Sequence, residues 1–245
     1  MTFLEKNIVV GPFQCNCRLL MCPVTGDAAL IDPGDEAAKI LAALAKAEIR
    51  GEGGKVLKPR LRWLLHTHAH LDHIGGTRGV VEGMAKEGSA RNSDSSASVG
   101  ADAPPVIALH KDDEFIYRKL KEQGQMFGMK YDDPLPVGKF LEHGERLELG
   151  KLKLEIIHTP GHSPGSLGIR LHEDSALGAP ETVFSGDTLF QGSVGRTDLW
   201  GADGDLMFKM IRERLFTLDG DTRVCPGHGP SSTVGREKTG NPFFQ

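Results

Sequence analysis

The sequence predicts an α+β fold in which two β-sheets pack face to face with helices on their outer surfaces. Short β-like runs bounded by Gly, Pro and Asp turn signals recur in both halves of the chain. Stretches with helical apolar spacing are interspersed among them in both halves, which is the mixture a sheet sandwich flanked by helices requires. The 245 residues, 39% hydrophobic, are enough to bury a sizeable core, and we read 1–245 as a single domain.

Residues 8–11, 17–21 and 28–32 are apolar runs separated by turn residues and read as an antiparallel meander. The stretch 35–47 opens on an Asp, is rich in Ala and spaces Ile40, Leu41 and Leu44 for one helical face. A strand over 56–65 and a helix over 77–87 follow. Residues 88–98 are nearly free of apolar side chains, so 86–105 reads as a mobile surface loop. Such an insertion costs little, because loop-closure entropy grows slowly with length. It is not a domain boundary, since a strand at 106–109 and a helix at 112–121 resume at once. Residues 124–136 read as irregular and placed to overhang a site. Between 147 and 172 the β pattern returns, with Leu152, Leu154 and Ile156, then Leu167, Ile169 and Leu171, in period-two alternation. A strand at 182–185 and an amphipathic helix over 205–218, carrying Leu206, Met210, Ile211 and Leu215, complete the series.

A net charge of −4 supplies no basic field, which argues against nucleic acid as a partner. Four cysteines are too few for a disulfide scaffold at this length, and Cys15, Cys17, Cys22 and Cys225 read as reduced, mostly buried thiols. The first residues lack a basic segment followed by an apolar one, and no apolar run approaches the roughly 20 residues that span a bilayer. A cytoplasmic protein with no membrane partner is expected.

The chemistry concentrates in His68, His70, Asp72 and His73, an H-x-H-x-D-H string where the strand pattern gives way to a helical one. In extended backbone side chains repeat with period two, so His68 and His70 project together and can share one ion. Asp72 and His73 point elsewhere and suit a second. Three later strand-like runs end in glycine-punctuated loops carrying His162, Asp187 and His228, and loops at strand ends are where a rigid scaffold presents chemistry. Metal sites in hydrolytic enzymes take three protein ligands and leave a position open. His68, His70 and His162 make one such set, and Asp72, His73 and His228 a second. Asp187 is left as a carboxylate able to bridge the two. Thr67, Ser185 and Asp32 are candidates to orient the imidazoles. His66 is the best spare, while His110, His143, His158 and His172 are placed outside the ligand set. Arg196 is either a contact for a substrate carboxylate or half of a loop-fixing pair with Asp198.

With the metal string, the Thr159-Pro160-Gly161-His162 loop, Ser185-Gly186-Asp187-Thr188 and Pro226-Gly227-His228-Gly229 in this order, the chain resembles the metallo-β-lactamase superfamily along nearly its whole length. That resemblance implies a four-layer αββα sandwich with a dinuclear site between the sheets. The stretch from Asp187 to Asp198 and the ending Asn241-Pro242-Phe243-Phe244 look most like the small bacterial glyoxalase II-like hydrolases. These are hydroxyacylglutathione hydrolases, which convert S-D-lactoylglutathione to D-lactate and glutathione. The helical C-terminal domain that helps full-length glyoxalase II hold glutathione is not expected here. The implied cofactors are two divalent ions, zinc first, with iron or manganese also suited to imidazole and carboxylate ligands. The implied partner is a small glutathione-derived thioester.

Catalysis is then expected from a hydroxide bridging the ions, with Asp72 and Asp187 acting through it, since even one zinc lowers the pKa of its water to about 7. A thiol of reference pKa about 8.5 leaves without a strong acid. A persulfide dioxygenase with a single iron is the nearest alternative. Leu71, where those relatives carry Ala, and Ser193-Val194, where they carry Gly-Cys, favour the hydrolase. Another small-ester or lactone hydrolase of the superfamily is a further alternative. A β-lactamase is disfavoured by the lack of an export signal, and a nuclease by the lack of a basic surface. A scaffold that binds without turnover has no need of a complete ligand set.

Overall fold

The computed structural model describes residues 2–91 and 103–245. In chain order its elements are β1 (Leu4–Val10), β2 (Cys15–Met21), β3 (Asp27–Ile31), α1 (Ala37–Lys46), β4 (Ile49–Arg50), β5 (Val56–Leu57), β6 (Arg60–Leu65), α2 (Leu71–Ile74) and α3 (Thr77–Arg91). There follow β7 (Val106–Leu109), α4 (Glu114–Tyr117), α5 (Leu120–Met126), β8 (Lys139–Phe140), β9 (Arg146–Leu149), β10 (Leu152–His158), β11 (Leu167–Leu171) and β12 (Thr182–Gly186). The last are β13 (Leu189–Phe190), β14 (Ser193–Val194), α6 (Gly204–Met210), β15 (Arg223–Pro226), β16 (Ser232–Thr233) and α7 (Val234–Gly240).

Two six-stranded sheets form, in the orders β1-β2-β3-β6-β7-β8 and β16-β15-β12-β11-β10-β9. Period-two alternation sorts each strand's side chains between an inner and an outer core. Leu20, Ala29, Ile31 and Leu65 of the first sheet meet Leu154, Ile156, Ile169 and Phe184 of the second in a core to which, among the described residues, no helix contributes. On the first sheet's other face, Leu19, Leu30 and Leu64 pack against Ile40 of α1, Ile74 of α2 and Val80 of α3. Outside the second sheet, Ile157, Val183 and Val224 pack against Met207 of α6 and Val234 of α7. Three cores between four layers make the αββα sandwich. β2 and β3 are buried on both faces, and each ends in an apolar run, Leu19–Met21 and Ala28–Ile31, while Asn16, Arg18 and Asp27 are buried polar residues within them.

Strand direction places the site. β3, β6 and β7 run parallel, and so do β12 and β15. β10 and β12 both pair antiparallel to β11 and therefore run the same way. The loops after β10, β12 and β15 thus leave one edge of the second sheet. Across the sandwich, the Leu167 amide donates to the Thr67 carbonyl at 2.7 Å, joining the start of β11 to the loop after β6.

Several expected boundaries move. The strand expected at 56–65 is two pieces, β5 and β6, parted at Pro59, which has no amide hydrogen to give a ladder. The helix expected at 112–121 is a 3-10 turn at Lys111–Asp113 followed by the short α4 and α5. The helix expected at 205–218 is α6 followed by a π turn at Ile211–Leu215. α3 continues to Arg91, into the stretch expected to be a loop from residue 86; the remainder of that expectation, 92–102, lies outside the described residues. All four cysteines are free and buried. Among the described residues no helix is long and apolar enough to cross a membrane.

Candidate metal centre

Of the seven residues proposed from sequence as metal ligands, Asp72 and His73 lie in α2 and the other five in loops that follow β6, β10, β12 and β15, and the fold brings the seven together. His68, His70 and His162 present ring nitrogens within 4.8 Å of one another, as do the ligand atoms of Asp72, His73 and His228. A third grouping of His68, His73 and Asp187 links the two sets. Within the first set, His70 Nδ1 lies 2.9 Å and His68 Nε2 3.2 Å from His162 Nε2. Within the second, His73 Nε2 and His228 Nε2 are 3.2 Å apart, and Asp72 Oδ2 is 3.1 Å from His228 Nε2. Around a tetrahedral zinc with bonds of about 2.0–2.1 Å, neighbouring nitrogens sit about 3.3 Å apart, so the spacing suits a cation in each set.

Asp187 stands between them. Its Oδ1 is 3.4 Å from His73 Nε2, and its Oδ2 is 3.5 Å from His228 Nε2 and 3.8 Å from His162 Nε2. Oδ1 is buried without a hydrogen-bond partner among the described residues. An orphaned carboxylate oxygen costs free energy unless something positive satisfies it. Together with five imidazoles and a second carboxylate, it is the donor set that fits two metal ions.

The rings are aimed from behind. His162 Nδ1 faces the Arg196 carbonyl at 2.8 Å, and a carbonyl can only accept, so Nδ1 carries the proton and Nε2 turns its lone pair inward. His73 Nδ1 lies 3.0 Å from Asp32 Oδ2, which leaves its Nε2 for the centre. The Thr67 hydroxyl donates to the same Asp32 Oδ2 at 2.7 Å and lies 3.2 Å from His68 Nδ1. Asp32 therefore braces His73 directly and His68 through Thr67. Ser185 has no such role, because its hydroxyl donates to the Leu189 carbonyl at 2.8 Å. His66 stays outside both groupings, with its Nδ1 3.2 Å from the His73 carbonyl and its Nε2 3.3 Å from the Thr77 hydroxyl. Asn16, which the sequence did not single out, donates to the Pro226 and Gly229 carbonyls at 3.0 and 2.9 Å and so cradles His228.

Burial, and then the neighbouring His162 and His73, push His70 down to about 3, and burial above all holds His68 and His162 low as well. These three rings stay neutral at neutral pH and offer lone pairs. Burial works against ionising Asp72, yet the neighbouring His73 and His228 more than offset it and hold its carboxyl well below the usual range.

His110, Asp112 and His158 form another grouping with metal-like spacing. The His110 Nδ1 lone pair already accepts from the Asp112 amide at 3.2 Å, and His158 Nε2 donates to the Pro164 carbonyl at 2.8 Å. The two rings stack 3.9 Å apart at 12°, so no common point lies in both ring planes where a metal would sit, and the contact is structural. The Arg196 guanidinium makes an exposed two-pronged pair with Asp198 at 2.6 and 2.7 Å. This pair is one of the two roles considered for it.

Gly227 lies against the centre. A Cβ there would fall 2.3 Å from Asp187 Oδ1 and 2.6 Å from His73 Cε1. Gly227→Ala is therefore expected to reduce bound metal while costing the fold about 1–3 kcal/mol of overpacking. Metal analysis and thermal melting check this together; an alanine variant with undiminished metal would refute it.

The metallo-β-lactamase superfamily profile matches residues 10–84 and 97–228. The chain belongs to the metallo-β-lactamase superfamily. It is similar to the hydroxyacylglutathione hydrolase GloC of Haemophilus influenzae, 34% identical over 97% of this chain and 96% of that one. Among solved structures it is similar to TTHA1623 in a di-iron-bound form, 37% identical with a TM-score of 0.73 over 97% of this chain and 99% of the other. It is also similar to the BLEG-1 B3 metallo-β-lactamase, 29% identical with a TM-score of 0.76 over 99% and 100% of the two chains. The protein is thus a metallo-hydrolase of the superfamily, with His and Asp clusters that fit a dinuclear site.

Proposed function

We propose that this metallo-β-lactamase superfamily member hydrolyses small glutathione thioesters of the hydroxyacylglutathione class, giving a hydroxy acid and glutathione. The observation that carries the reading is Asp187, whose carboxylate faces both ligand sets with one oxygen orphaned. His68, His70 and His162 would hold one cation, Asp72, His73 and His228 the other, and Asp187 would lie between them. Two divalent ions there supply an acidified water and a polarised carbonyl. Zinc is the metal proposed, and the di-iron form of TTHA1623 supports iron as its competitor.

The chain's own residues do the rest. Asp32, Thr67 and the Arg196 carbonyl keep three imidazoles turned inward, so little reorganisation is needed when charge develops. No protein acid is required for departure, because a thiol of reference pKa about 8.5 leaves as thiolate. Arg196 is proposed as a contact for a substrate carboxylate. Its pair with Asp198 is exposed and screened by water, which leaves the guanidinium easily recruited. GloC supports the substrate class. A second reading, β-lactam hydrolysis, is supported by the likeness to BLEG-1.

Purified protein of measured metal content should be offered S-D-lactoylglutathione, with free thiol and dissolved oxygen followed together. About two metals per chain, thiol release with kcat/KM of roughly 10⁴ M⁻¹s⁻¹ or more and no oxygen uptake are expected. Turnover of a chromogenic β-lactam without thioester cleavage would transfer the assignment to the second reading. Oxygen uptake with glutathione persulfide would sink both.

A further inference from the structure

The three imidazoles of the first set come from loops on opposite sheets, His68 and His70 after β6 and His162 after β10. Their separation has to be held by something other than the ligands. Asp113, fully buried at the start of α4, lies across that gap. Its Oδ2 accepts from the amide of Ala69, the residue between His68 and His70, at 2.9 Å. The same oxygen accepts from the hydroxyl of Ser163, the residue after His162, at 2.8 Å. Its Oδ1 accepts from the Gly165 amide at 2.6 Å. The fit is close, since a Cβ on Gly165 would come within 2.7 Å of Asp113. The stacked pair of His110 and His158 ties the segment carrying Asp113 to the end of β10 a second time. The second set is braced by other groups, Asp32 and His66 on His73 and Asn16 around His228.

We propose that Asp113 is a positioning residue that sets the distance between the His68–His70 and His162 loops, and so governs metal affinity at the first set but not the second. The proposal rests on the dinuclear reading of the centre. Both Asp113 oxygens accept from donors, so an amide in its place must turn an NH₂ toward at least one of them at unchanged volume.

The test strips the protein of metal and titrates zinc(II) alone against a chromophoric chelator, with thermal melting of the same metal-free samples. Wild type should show two binding steps, and the step lost in His162→Ala identifies the first set. Asp113→Asn should weaken that step by about 10–100-fold and leave the other within about twofold, the size of effect seen when a group supporting a metal ligand is removed. Ser163→Ala, which deletes one arm of the clamp, should weaken the same step by less and carries the test if Asp113→Asn does not fold. Leu154→Ala in the core between the sheets should lower the melting temperature without separating the steps. Equal weakening of both steps, or of neither, in Asp113→Asn or Ser163→Ala against a two-step wild type would overturn the assignment alone. A wild type with a single step would remove the dinuclear reading and this inference with it.

Discussion

Asp187→Ala is expected to lower bound metal from the proposed two ions per chain to one or fewer and to cut the proposed thioester hydrolysis by roughly 10²–10³-fold, the scale on which removing one preorganised electrostatic group acts. Among the described residues Asp187 is the one carboxylate in contact with both sets: its oxygens lie 3.4 Å from His73, 3.5 Å from His228 and 3.8 Å from His162. Without it, two closely spaced cations lose the negative charge that screens their mutual repulsion. The fold itself has little stake in this side chain, since Oδ1 makes no hydrogen bond among the described residues. The metal-free variant should therefore melt within a few degrees of metal-free wild type, while inductively coupled plasma analysis reports the missing ion. Retention of two ions would end the bridging assignment.

Asp32→Ala is expected to be the most damaging substitution for stability near the centre. Asp32 is 2% exposed and accepts from the Thr67 amide and hydroxyl, both at 2.7 Å, and faces His73 Nδ1 at 3.0 Å. Each buried donor stripped of its acceptor costs about 1–3 kcal/mol, so the total loss is at least about 3 kcal/mol. For a chain of this size that lowers the melting temperature by about 6–12 °C. Asp32 also has φ of 52°, a left-handed conformation that Asp and Asn tolerate better than Ala. Asp32→Asn should thus recover part of the melting temperature but little metal, because its NH₂ faces donors at Thr67 or His73. If the alanine variant melted like wild type, the buried acceptor would not have the importance its contacts imply.

How much of this was legible beforehand depends on the range of each signal. Strands read well where one face differed from the other, as at Leu152, Leu154 and Ile156, and the doubly buried β2 and β3 showed in the short apolar runs Leu19–Met21 and Ala28–Ile31. Breaks inside helices did not read, because the π turn at Ile211–Leu215 keeps the apolar spacing of the α-helix it follows. Asp113 lay hidden in Lys111-Asp112-Asp113-Glu114, a charged run that reads as a solvated helix start. Only packing shows that one of its carboxylates is fully buried. Asn16 carries no local signal either, since its partners Pro226 and Gly229 lie more than 200 residues away.

The sequence by itself determined which side chains gather at the centre, because His and Asp beside glycine turns at strand ends are local features, and parallel strand direction brings those ends to one edge. Tertiary structure alone decided how the side chains are aimed and how far apart they stand. A ring's lone pair is directed by whatever takes the proton on its other nitrogen. Here that partner is a backbone carbonyl at Arg196, a carboxylate at Asp32 or a hydroxyl at Thr67, and those pairings exist only once two sheets have closed on each other.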